Sequence, residues 1–168
     1  MITPAQESKF LALIEEHKKI LYKVCYSYCR QAEDRNDLAQ EIVIQLWKSF
    51  ERYDDQFKFS TWMYRVALNV AISFYRREKT RTRHISPFDD DLLNVIDDSG
   101  SAEPSEDLEL LHRFIQQLDE LNKALVLLYL DGNSYKAISD VLGITETNVA
   151  TKINRIKKKL GQDFAENP

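Results

Sequence analysis

The side chains best suited to chemistry crowd into one stretch, NSYKAISDVLGITETNVATKINRIKKKL, from Asn133 to Leu160. Ser134 suits the cap of a short helix from Tyr135 to Leu142, Gly143 the left-handed turn after it, and Thr145 the cap of a second helix. That spacing predicts a helix-turn-helix. In the second helix Val149, Ile153, Ile156 and Leu160 make one apolar stripe, which leaves Thr147, Asn148, Thr151, Lys152, Asn154 and Arg155 facing outward. Such a set can read base edges near the helix N-terminus and pair with phosphates further along. A solvated helix in an all-α domain gives the same pattern, because this geometry also occurs without DNA binding.

A second candidate lies upstream, in FSTWMYRVALNVAISFYRREKTR from Phe59 to Arg81. Aromatic faces stack on unpaired bases while arginines hold the backbone, so the composition suits strand-separated nucleic acid. Taken alone it decides little, since aromatics at helical spacing more often build a core.

Other chemistry is poorly supported. Asp89, Asp90, Asp91, Asp97 and Asp98 could hold a metal for phosphodiester chemistry. They lie, however, in a proline- and glycine-punctuated stretch with no histidine or lysine partner on a rigid element. The chain offers no phosphate-cradling glycine loop and no nucleophile with its base. Cys25 and Cys29, one helical turn apart on an apolar face, lack a second ligand pair and read as buried reduced thiols rather than zinc ligands. The expectation is a non-enzyme with no cofactor, no metal and no small-molecule substrate.

Helices must position these side chains. The four glycines and four prolines leave the whole span between Pro4 and Pro87 without either, which excludes a β protein built on tight turns. Thr3-Pro4-Ala5-Gln6 has the form of a capping box, predicting a helix to about Arg30 with Phe10, Leu13, Ile14, His17, Leu21, Val24 and Tyr28 on its core face. His17 reads as a half-buried packing residue, since no second ligand accompanies it. A polar turn from Glu33 to Asn36 then precedes a helix with Leu38, Ile42, Leu46 and Phe50 inside, widened by Val43 and Trp47, and Asp37, Gln40, Glu41 and Lys48 outside. A loop, ERYDDQFKF, leads to Ser60, the expected cap of a third helix running through Trp62, Val66 and Val70 to about Arg81. Ser105 opens a further helix with Leu108, Leu111, Ile115 and Leu118 on one face, and NKALVLLYL another that ends at Asp131-Gly132.

Charge divides the chain. The net charge of −4 hides a local +5 from Arg65 to Arg83, a local −9 from Asp89 to Glu109 and a local +5 from Ala150 to Leu160. Two basic surfaces flanking an acidic connector make two candidate phosphate-binding sites. The expected architecture is all-α: a helical domain over 1–84, an acidic linker over 85–104 and a helix-turn-helix domain over 105–168, each core small but feasible. Leu92-Leu93 and Val95-Ile96 in the linker are apolar sets of unassigned docking. No run of 18 apolar residues exists and the N-terminus lacks signal-peptide order, so the expected compartment is the cytoplasm.

Three motifs in this order, DLAQEIVIQLWKSF, FSTWMYRVALNVAISFYRRE and LDELNKALVLLYLDGNSYKAISDVLGITETNVATKINRIKKKL, resemble the extracytoplasmic-function (ECF) subfamily of sigma-70 RNA polymerase sigma factors across nearly the whole chain. The resemblance implies region 2 and region 4 domains, and core polymerase and promoter DNA as partners. It also implies an anti-sigma protein, often membrane-bound, as a common inhibitor. It assigns Asp37, Gln40 and Glu41 to docking on the clamp coiled coil of the polymerase. The loop Tyr53 to Phe59 with Trp62, Tyr64, Arg65 and Asn69 falls to opening the minus-ten element with a flipped base, and Arg76, Arg77, Lys79 and Arg81 to the adjoining phosphates. Thr147, Asn148, Ala150, Thr151, Asn154 and Arg155 match the face entering the major groove at the minus-thirty-five element, and Lys152, Lys157 and Lys158 the phosphate contacts beside it.

The chain departs from that family at Ala150, where a basic residue is common, at Ala137, where glutamate is, and at Ser73, where aspartate is. Without a long basic side chain, Ala150 leaves only a methyl for thymine contact, so the promoter sequence does not carry over from relatives. The acidic linker reads either as a nucleic-acid mimic that covers the basic helices or threads a basic channel, or as a solvated tether. A conventional helix-turn-helix regulator, acting on duplex DNA without polymerase, is the rival reading.

Overall fold

A computed structural model describes residues 2–81 and 105–166. The chain divides into two compact units, and among the described residues every regular element is helical. The linker expectations over 85–104, including Leu92-Leu93, Val95-Ile96 and the Asp89 to Asp98 acids, lie outside the described residues. Among the described residues no helix is long and apolar enough to cross a membrane.

The N-terminal unit holds α1 (Pro4–Glu16), α2 (Lys18–Tyr28), α3 (Ala32–Ser49), a 3-10 turn (Phe50–Arg52) and α4 (Phe59–Arg81). The capping box forms: the Gln6 backbone N–H donates to Thr3 Oγ1 at 3.2 Å and the Thr3 N–H to Gln6 Oε1 at 2.8 Å. The single first helix expected to Arg30 is instead two. The backbone leaves helical values at His17 (φ −110°, ψ 17°), whose Nδ1 meets the Leu13 carbonyl at 3.0 Å and whose ring packs on Phe59 with centroids 5.0 Å apart. His17 is thus half-buried, as its isolation in sequence suggests. The break lets α1 bury Phe10 against Trp47 and Phe50, at 5.0 and 5.1 Å, while α2 buries Ile20, Val24, Cys25 and Tyr28.

Nor is Glu33 to Asn36 a turn. Those residues form the first turn of α3, where Glu33 and Asp34 complement the helix dipole. Arg35 folds back, buried, to donate from Nη1 to the Arg30 carbonyl at 2.8 Å and to lie 4.4 Å above the Tyr26 ring. Its guanidinium closes the α2–α3 connection that a polar turn had been expected to make. Leu38, Ile42, Leu46 and Phe50 are all buried, as their spacing predicts. Ser60 does not cap α4. Helix begins at Phe59, two residues before the start a Ser60 cap would give, because Phe59 is drawn into the core, and the Trp62 N–H bonds the Lys58 carbonyl at 3.2 Å. The buried side of α4 is Met63, Tyr64, Ala67, Leu68, Ala71 and Phe74; Trp62, Val66 and Val70 flank it, half-buried.

The C-terminal unit comprises α5 (Glu106–Gln117), α6 (Glu120–Leu130), α7 (Tyr135–Leu142) and α8 (Glu146–Glu166). Ser105, Asp119 and Ser134 cap their helices through side-chain oxygens, and Gly143 takes the left-handed conformation at φ 70°. α6 is the centre, buried from Lys123 to Leu128. Phe114, Ile115, Leu118, Val126 and Ile156 close one side of the core with Leu111 and Leu160. Leu108, expected inside, is 58% exposed; it sits in the first turn of α5, ahead of the residues that meet α6 and α8.

Candidate nucleic-acid and polymerase interface

α8 separates its two faces cleanly. Val149, Ile153 and Ile156 are buried, while Thr147, Asn148, Thr151, Asn154, Arg155 and Lys158 are exposed and Ala150 and Lys152 half-buried. Thr145 starts the helix, its Oγ1 accepting from the Asn148 N–H at 3.1 Å, so the first outward residues are fixed by the cap. Below, the Ser139 hydroxyl donates to the Ile144 carbonyl and ties α7 to the turn. The Thr151 hydroxyl donates to the Thr147 carbonyl at 3.0 Å, on the exposed face of the helix. Among the described residues, Lys152, Arg155 and Lys158 have no acidic partner within ion-pair reach. Lys157 differs. Its Nζ lies 4.7 Å from the Tyr129 ring centroid, and the hydrogen bond to Tyr129 raises its pKa above the ordinary lysine value. Unlike its neighbours it is held back against α6.

On α4 the expected residues scatter. Arg65, Asn69, Arg76, Arg77 and Lys79 are exposed; the side chain of Arg81 lies outside the described residues. Tyr64 must be corrected as a base-stacking candidate: it is 1% exposed and is among the largest fully buried side chains. The helical turn that points Arg65 outward points Tyr64 into the bundle. Trp62 is half-buried, one wall of an aromatic cluster with Tyr53 at 5.0 Å, Phe59 at 5.3 Å and Phe50 at 6.3 Å.

That cluster shapes the loop before α4. The Tyr53 hydroxyl, its pKa raised above the ordinary tyrosine value by burial and then by Asp55, donates to the Phe57 carbonyl at 2.8 Å. The Phe57 N–H donates to the Asp54 carbonyl at 3.0 Å, and Lys9 on α1 pairs with Asp55 at 2.7 Å. Pinned from both ends, the loop projects Phe57, which is 68% exposed, a large apolar ring with few protein contacts. Its signal in the sequence is an aromatic residue set among the polar residues of DDQFKF.

Asp37, Gln40 and Glu41 do meet on the outer side of α3, where they line a groove of about 330 Å³ with Ile44, Phe74, Arg77 and Glu78. Ile44 is 53% exposed there. Arg77 donates from Nη2 to Glu41 Oε2 at 2.8 Å, so a residue expected to hold DNA and one expected to hold polymerase are bonded to each other. Cys25 and Cys29 are free thiols and buried, and burial pushes each pKa up to about 12, which leaves them inert. Among the described residues no cluster of histidines, cysteines and acids could hold a metal ion.

Comparison with known sequences follows the same division. The sigma-70 region 2 profile matches residues 13–81 and the sigma-70 region 4 profile residues 108–160. The ECF RNA polymerase sigma factor SigW of Bacillus subtilis (strain 168) is 25% identical over 98% of this chain and 94% of its own length. The RNA polymerase sigma-H factor of the same organism is 28% identical over 88% of this chain and 78% of its own. In fold, the chain resembles CnrH, solved with the cytosolic domain of CnrY, at TM-score 0.68 and 19% identity over 96% of this chain and 91% of that one. It also resembles the sigma factor RpoE of Bartonella quintana, solved with the anti-sigma factor NepR, at TM-score 0.66 and 15% identity over 99% and 100%.

Proposed function

Since the chain belongs to the sigma-70 family as an ECF-type sigma factor, we propose that it binds core RNA polymerase through residues 1–84, directs it to a small promoter set, and helps separate the strands. The observation that carries this is the coincidence of two independent family matches with the two units, each bearing one exposed basic face. A duplex-only regulator has no use for the region 2 unit.

In this reading the acidic outer side of α3, Asp37, Gln40 and Glu41, is the polymerase dock, and Ile44 adds apolar contact at its edge. Trp62, Arg65 and Asn69, together with Phe57 on the pinned loop, engage the unpaired minus-ten strand; an exposed aromatic beside cations is what sequence-tolerant stacking needs. Arg76, Arg77, Lys79 and Arg81 follow the phosphates. In residues 105–168, Thr147, Asn148, Ala150, Thr151, Asn154 and Arg155 face the major groove of the minus-thirty-five element. Lys152 and Lys158 flank it on phosphate, and Lys157 reaches phosphate after leaving Tyr129. Residues 85–104 connect the two. The protein performs no chemistry of its own, requires no cofactor, and works in the cytoplasm beside the polymerase. An anti-sigma protein covering one or both units is the expected restraint, by analogy with the anti-sigma factor NepR bound to the solved RpoE.

Multi-round transcription from a genomic fragment library, using bacterial core polymerase with and without the protein, tests this. New RNA starts sharing a two-block upstream motif are the expected result. No new starts, with duplex binding by the protein alone, would replace this reading by that of a conventional regulator.

A further inference from the structure

Arg77 and Glu41 lie on different helices, serve different partners in the proposed function, and are bonded to each other. The Arg77 guanidinium donates to the Glu41 carboxylate at 2.8 Å, with its carbon 5.7 Å from the Phe74 ring centroid. Their side chains are 60% and 42% exposed. An ion pair this open to water shifts an equilibrium by only about two- to five-fold, so an incoming charge can exchange it. The pair sits in the groove whose remaining polar lining, Asp37, Gln40 and Glu78, favours a cationic visitor.

Resting on the sigma-factor reading, we propose that Glu41 is a positioning residue that occupies Arg77 until polymerase docks. In the unbound protein the Glu41 carboxylate competes with DNA phosphate for the same guanidinium. A cationic side chain of the polymerase that takes Glu41 displaces Arg77, which then turns to the phosphate backbone alongside Arg76 and Lys79. Docking and promoter grip are thereby coupled through one exchanged ion pair. The coupling is reciprocal: phosphate on Arg77 leaves Glu41 more available to polymerase.

The full-length protein without polymerase is titrated against a fluorescein-labelled mixed-sequence single-stranded DNA at low salt, read by anisotropy. Glu41→Gln is expected to tighten binding by about two- to five-fold. Glu15→Gln changes net charge equally and breaks the exposed Glu15–Lys18 pair between α1 and α2, at 2.6 Å, so it reports the charge effect without the latch. Combining Arg77→Gln with Glu41→Gln should abolish that gain. Equal effects of Glu41→Gln and Glu15→Gln, or a gain that survives loss of Arg77, would overturn the proposal. Lys79→Gln tests the underlying reading separately. If it weakens binding while Glu41→Gln does nothing beyond the charge control, α4 still holds DNA and only the latch is wrong. If no variant alters binding, the DNA role of α4 falls and the latch with it.

Discussion

In the C-terminal unit the packing stripe and the polar face of α8 lie on opposite sides of one helix, and Lys152, Arg155 and Lys158 have no acidic partner among the described residues. In the N-terminal unit the corresponding helix, α4, shares its aromatic and basic residues with the fold. Tyr64 fills the core, Trp62 walls an aromatic cluster, and Arg77 is bonded to Glu41. The difference follows from residue type. Threonine, asparagine and lysine add little to a core, so an amphipathic pattern that leaves them outside says where they are. A tyrosine or tryptophan serves packing and base stacking equally well, and only tertiary placement separates the roles.

The largest effect that would sharpen this contrast comes from Tyr64. Tyr64→Ala should destabilise the N-terminal unit by about 3–5 kcal/mol, as large aromatic truncations in cores do. Phe57→Ala should alter stability by no more than about 0.5 kcal/mol while lowering open-complex formation. Urea denaturation followed by permanganate footprinting measures both. If Tyr64→Ala left stability intact and impaired only opening, Tyr64 would belong to the DNA face after all.

Alkaline pH should also separate the units, since both cysteines lie in the N-terminal one. Their folded pKa of about 12 stands above the ordinary 9.0, so the native state keeps protons that the unfolded chain releases first. The stability they support is complete below pH 9 and is lost as pH rises toward 12, at roughly 1.4 kcal/mol per thiol by pH 10. Comparison of urea midpoints from pH 8 to 10 with those of the Cys25→Ala, Cys29→Ala double variant isolates this slope from that of the tyrosines and lysines. An identical slope would mean that the thiols are solvated.

Within α8, Asn154→Ala should cost about 1–3 kcal/mol on the preferred promoter and much less on others, if it reads a base edge. Lys158→Ala should weaken every sequence alike and lower the salt dependence by about one counterion. Electrophoretic shifts at several salt concentrations distinguish the two. Sequence-independent loss from both would reduce the face to a phosphate clamp.

Much of this architecture was legible in the sequence. The division into two helical units, the caps at Thr3, Ser105, Ser134 and Thr145, the αL glycine at 143 and the α8 stripe all rest on short-range rules, and each stands in the structure. What escaped depends on contacts that reach beyond a single helix. The break at His17 accompanies the packing of its ring on Phe59, the apparent turn before α3 is closed by a buried Arg35, and Leu108 faces solvent because its helix meets the core only further on. The same holds for the site: the polar face of α8 could be read from its spacing, whereas the Glu41–Arg77 bond joins residues 36 positions apart.

The smallest of these effects tests that boundary directly, by comparing two serines with equal claims in sequence. Ser134 precedes Tyr135 much as Ser60 precedes Thr61-Trp62, yet only the former accepts a backbone bond at a helix start, from the Ala137 N–H at 3.1 Å. Ser60 lies inside the first turn because burying Phe59 extends α4 by two residues, and the apolar gain outweighs a surface cap. Ser134→Ala should therefore cost about 1 kcal/mol in the C-terminal unit, whereas Ser60→Ala should stay within about 0.5 kcal/mol in the N-terminal one. Denaturant unfolding of each variant checks this. Equal losses would show that Ser60 caps a shorter α4 in solution, releasing Phe59 from the core and loosening the loop that presents Phe57.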